Sequence, residues 1–128
     1  MKMAKLSKKK QEELIDIEVK RLESIMSSIS EEKRELAKGL IQRISFMTIT
    51  LEILEDSIKT KGPTYLFKNG SQQMIVENPA QKSYNAMINR YTTAFDKLMS
   101  LLPKKSEEGD GEDSDGFDEF VNERDADG

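Results

Sequence analysis

The stretch ISFMTITL, Ile44 to Leu51, holds no charged residue in a chain of which 34% is charged, and its reading decides the fold. Thr48, Ile49 and Thr50 are β-branched, and a pleated backbone accommodates such stiff side chains more readily than a helical turn does. The flanks decide for a helix. Leu36, Leu40, Ile44, Met47, Leu51, Leu54 and Ile58 recur at spacings of 4, 4, 3, 4, 3 and 4 with no turn signal between them. Phe46, Ile49 and Ile53 form a second stripe on another face, so the middle of this helix is apolar on two sides. Gly39 lies within it at a cost of about 1 kcal/mol against alanine and is expected to mark a close backbone contact.

Working outward, Lys61-Gly62-Pro63 ends the helix, because glycine suits the position after a helix and proline cannot continue one. TYLFK and SQQMIV then flank Asn69-Gly70, a strong hairpin signal. A lone pair of strands is marginal in water, so it is expected to lean on the helices. Asn78 is a good N-cap and Pro79 suits the first helical turn. From there Tyr84, Ile88, Tyr91, Phe95, Leu98 and Leu102 repeat at 4, 3, 4, 3 and 4 up to Pro103. Upstream, Ile15, Val19, Leu22, Met26 and Ile29 give the seam of a first helix, and Ser28 with Glu31 has capping-box spacing.

These elements predict a mainly α fold. A helical hairpin of two long helices, near 31–60 and 79–102, is joined by a β-like insert at 64–77 and accompanied by an N-terminal helix near 8–28. Residues 1–10 read as a basic arm, 11–103 as the helical body and 104–128 as an acidic tail whose composition is that of a disordered segment. With 36% hydrophobic residues and no tryptophan in 128 residues, the core is small, and self-association is the expected way to complete its burial.

The chain has neither cysteine nor histidine, which removes disulfides, thiolate nucleophiles and the commonest proton shuttle and transition-metal ligand. Adjacent acids such as Glu55 and Asp56 diverge by about 100° on a helix and do not converge on a substrate. No metal or cofactor is expected. The acidic run from Gly111 to Asn122 fails as a calcium loop: with Gly116 at the sixth position, glycine and asparagine occupy the first and twelfth, where Asp and Glu are needed. No apolar stretch approaches a membrane span, and MKMAKLSKKK lacks the apolar segment of a signal peptide.

The net charge of −4 conceals a division, since residues 106–128 hold eleven acids and one arginine while residues 1–105 hold 13 acids and 19 bases. A basic body implies an anionic partner, and the tail can compete with that partner. Lys5, Lys8, Lys9, Lys10, Lys20, Arg21, Lys33, Arg34 and Lys38 are the expected phosphate contacts, and Arg43 is a further basic position. Phe46, Ile49 and Ile53 are the expected subunit interface. In the tail, Phe117, Phe120 and Val121 of FDEFV have the character of a short docking motif.

A long helix, a Lys-Gly-Pro break, a short insert and then ENPAQKSYNAMINRYTTAFDKLMSLLP resemble the small subunit of bacteriophage terminases over roughly residues 30–103. The landmarks are Gly62, Asn78-Pro79 and Leu102-Pro103. The resemblance implies a non-enzymatic DNA-packaging factor in the host bacterial cytoplasm. Such a factor forms a ring-shaped homo-oligomer, recognises double-stranded viral DNA at the packaging site, and recruits the large terminase subunit, which has the ATPase and nuclease. Family tails engage that large subunit, a role that would fall to FDEFV. Two features depart from the pattern: Lys104-Lys105 stand where arginine is usual, and residues 1–30 contain no clear helix-turn-helix. The alternative is a helical adaptor without DNA affinity, its acidic tail binding a basic protein.

Overall fold

A computed structural model describes residues 6–103. Three helices and one β-hairpin follow in the order α1 (Lys8–Ile25), α2 (Glu31–Lys61), β1 (Thr64–Asn69), β2 (Gln72–Glu77) and α3 (Pro79–Met99). The mainly helical fold read from the sequence is the observed one. Ile44–Leu51 lies inside α2, where the Thr48 hydroxyl donates to the Ile44 carbonyl at 2.8 Å. That bond gives the β-branched residue a local partner within the helix.

Each helix starts at a side-chain cap. Ser7 Oγ accepts from the Lys10 amide at 3.1 Å, so Lys8, Lys9 and Lys10 form the first turn of α1 rather than part of a basic arm. Ser30 Oγ accepts from the Lys33 amide at 3.3 Å, which replaces the expected Ser28–Glu31 capping box. The physical reason is that α1 stops at Ile25, and the turn through residues 26–29 carries Ser28 ahead of the new helix. Glu31 and Glu32 in the first turn of α2, and Lys59 and Lys61 in its last, complement the helix dipole.

The core forms where α1 and α3 cover α2. Val19, Leu22, Met26, Ile29, Ala37, Ile41, Ile44 and Leu98 are buried together, with Tyr91, Phe95 and Leu102 packed against them. The seams read in the first and third helices therefore face inward. In α2 the stripe differs from expectation: Leu36 is 69% exposed and Ala37 is fully buried. The small side chain of Ala37 sits with Met26 and Ile29 around the α1–α2 corner. Gly39 makes no close backbone contact either, since a Cβ there would meet nothing within 4 Å.

At the far end of α2 the chain turns at Gly62, whose φ of 87° and ψ of 164° fall in a region essentially reserved for glycine. Asn78 then ties this end to α3. Its side-chain oxygen accepts from the Ala80 amide at 2.9 Å, and its Nδ2 donates to the Gly62 carbonyl at 3.0 Å. A third bond, from the Asn78 amide to the Pro63 carbonyl at 2.8 Å, closes the base of the β-hairpin.

Leu66 pairs with Ile75 and Phe67 with Met74 in that hairpin. The loop itself is Gly70-Ser71, because Asn69 pairs with Gln72 and ends β1. With positive φ at Gly70 and not at Ser71, it is a type II′ turn, displaced one residue from the Asn-Gly turn expected. At its base the hairpin meets α2, where Lys61 Nζ lies 5.4 Å from the centroid of the half-buried Tyr65 ring, but beyond that it does not lean on the helices as anticipated. Leu66, Phe67, Met74 and Ile75 stay exposed, on both of its faces.

Candidate functional site

The expected phosphate-binding cations separate by their local chemistry. Lys8 pairs with Glu12 at 4.0 Å, Lys10 with Glu13 at 3.6 Å, Lys20 with Asp16 at 3.0 Å and Arg34 with Glu31 at 3.4 Å. Arg21 grips Glu18 through two bonds of 2.7 Å. Arg34 has a structural duty besides, since its Nη2 donates to the Ser27 carbonyl at 3.0 Å and so closes the α1–α2 corner. Lys9, Lys33 and Lys38 have no ion pair among the described residues, and Lys5 lies outside those residues.

A different cationic surface appears between α2 and α3. These helices run antiparallel, for Tyr84 near the start of α3 donates to Glu55 near the end of α2 at 3.0 Å. Along their exposed seam, Arg43, Phe46, Met47, Ser83, Ala86, Met87 and Arg90 line a furrow of about 430 Å³. A second hollow adjoins it at Arg90 and includes Leu40, Thr93, Ala94 and Lys97. Among the described residues no acid lines either hollow. Arg43, Arg90 and Lys97 have no ion-pair partner among the described residues.

The cations expected from the sequence are Lys5 and residues of α1 and early α2, and Arg90 and Lys97 are not among them. The available signal was their spacing of seven, two helical turns on one stripe of α3. Comparison of the chain with known protein families, with curated proteins and with solved structures found no match. The site's chemistry therefore stands on its own geometry.

The expected subunit interface is divided by the fold. Phe46 is 52% exposed on the furrow, Ile53 is half-buried, and Ile49, at 6%, belongs to the chain's own interior. This corrects the grouping of the three: Ile49 is already covered within one chain and is not offered to a neighbour. The expected docking residues Phe117, Phe120 and Val121 lie outside the described residues.

The opposite electrostatic character occurs where α1 meets the middle of α2. The Glu52 carboxyl is held above its ordinary pKa, first by loss of solvent and then by the nearby charges of Glu18 and Glu55. The Tyr84 phenol is also raised, chiefly by its hydrogen bond to Glu55. Among the described residues no group of three or more acids is arranged to hold a metal ion, and no helix is long and apolar enough to cross a membrane.

Proposed function

We propose that this chain is a non-enzymatic, self-assembling DNA-binding subunit of the small-terminase type, acting in viral genome packaging. The observation that carries the reading is the furrow of Arg43 and Arg90, with Lys97 in the hollow that adjoins it, neither lined by an acid among the described residues. Cations without acidic neighbours are free to replace the counterions of a phosphate backbone. Assembly is supported by the hairpin, whose exposed Leu66, Phe67, Met74 and Ile75 are costly to leave in water. Symmetry-related furrows in an oligomer would add weak phosphate contacts into an avid surface. Recruitment of a large terminase subunit through Phe117, Phe120 and Val121, and residence in a bacterial host's cytoplasm, complete the proposal.

The second reading is a helical adaptor that ignores DNA, and the local pairing of Lys8, Lys10, Lys20, Arg21 and Arg34 favours it. One titration separates the two. Duplex DNA added to the full chain over a series of salt concentrations should bind with an affinity that falls steeply with salt. Arg43→Ala and Arg90→Ala should each lower the log–log slope by about 0.9 per engaged furrow. Lys20→Ala, which removes a cation already paired to Asp16, should change the slope little. Absence of binding at low salt, or an affinity indifferent to salt, sinks the proposal and leaves the adaptor.

A further inference from the structure

The α2–α3 furrow combines two properties that seldom coincide on a surface without a partner. Its floor is apolar, with Phe46 half-exposed beside Met47 and Met87, and its rim holds Arg43 and Arg90 with no acid among the described residues to neutralise them. The complement is an acidic peptide with bulky apolar anchors. This chain contains one: in EDSDGFDEFV, residues 112–121, Phe117, Phe120 and Val121 stand at i, i+3 and i+4 among five acids at 112, 113, 115, 118 and 119. That is the anchor spacing of segments that lie in a groove between helices.

We propose that the furrow between α2 and α3 is the docking site of this chain's own Phe117–Val121 segment, its phenylalanines on Phe46, Met47 and Met87 and its acids against Arg43 and Arg90. Reach permits it. Met87 lies twelve residues before the end of α3 at Met99, or ~18 Å along the helix axis. The fourteen residues from Pro103 to Phe117 span at most ~50 Å when extended, and their root-mean-square span as a flexible chain is ~20 Å. The hairpin of a second copy is the competing occupant. It has exposed apolar residues, but its charges are Lys68 and Glu77, which do not complement a cationic rim. The proposal goes beyond the DNA-binding reading and does not depend on it.

The absence of cysteine makes the test direct. Ser114→Cys in the full chain places a nitroxide spin label three residues before Phe117, and methionine methyl resonances report its proximity. The Met47 and Met87 signals should be broadened strongly, while Met26 at the α1–α2 corner and Met74 in the hairpin are spared. Adding Phe117→Ser and Phe120→Ser to the tail, which leaves the helical body untouched, should restore the lost signals, as should raising the ionic strength. A mixture of spin-labelled, NMR-silent chains with unlabelled-tail, NMR-visible chains should show no broadening at Met47 and Met87. Unchanged Met47 and Met87 signals in the labelled chain overturn the proposal, as does broadening that survives the two serine substitutions. Equal broadening in the mixture overturns it too, by assigning the furrow to the tail of a second copy.

Discussion

Gly39 and Gly62 belong to the same helix and its cap, yet opposite consequences follow from placing a methyl group on each. Gly39 is helical, exposed and open within 4 Å of a built Cβ, so it contributes only backbone freedom that alanine would remove. Gly39→Ala should stabilise the fold by about 0.5–1 kcal/mol. Gly62 has φ of 87°, and its Cβ would stand 3.2 Å from the Thr64 carbonyl oxygen. Gly62→Ala should therefore destabilise it by about 1–3 kcal/mol, loosening the base of the hairpin and the Asn78 bond to the Gly62 carbonyl. Urea unfolding of the two variants is the check, with midpoints moving in opposite directions at unchanged slope. Midpoints that move together would refute this account of the α2 terminus.

At the scale of the elements, the apolar seam holds α1 to α2, and Glu52 stands beside it on the exposed side of α2. Glu52 is the group to change, because its carboxyl is raised by lost solvent and by Glu18 and Glu55. A raised carboxyl binds its proton more tightly in the folded than in the unfolded chain, so its contribution becomes unfavourable as pH rises through the carboxylate range. Glu52→Gln should raise the melting temperature at neutral pH, and the gain should vanish once the pH falls below the unfolded carboxylate value. A gain that is equal at pH 3 and pH 7 would mean that charge is not the cause. These same elements mark how far the sequence is legible. The seams of α1 and α3 could be read because each buries one regular stripe, and the caps at Gly62 and Asn78 because each needs a particular residue. Leu36 misled because apolar spacing cannot reveal that the α1–α2 corner admits the small Ala37 in its place. The cationic furrow was illegible for a related reason: Arg43 and Arg90 lie on different helices, and only the register of α2 against α3 brings them to one hollow.

For the whole molecule, the proposed DNA binding and the proposed seat of the tail together turn the division of charge into a competition. The body up to residue 105 has six more bases than acids and the remainder ten more acids than bases, so a tail seated on Arg43 and Arg90 denies them to phosphate. A site available only part of the time binds its ligand more weakly by that fraction, so occupancy by the tail for about nine-tenths of the time weakens DNA binding about tenfold. Removing residues 106–128 should accordingly tighten binding to duplex DNA by about that factor at low salt. The difference should narrow as salt rises, because screening weakens the tail's hold along with that of DNA. The Phe117→Ser, Phe120→Ser chain keeps every acid of the tail, so it separates a seated competitor from a diffuse cloud of negative charge. If anchoring matters, that chain should bind DNA nearly as tightly as the truncated one. If it binds like the unaltered chain while truncation still tightens binding, the tail acts through charge alone and the furrow is not its seat.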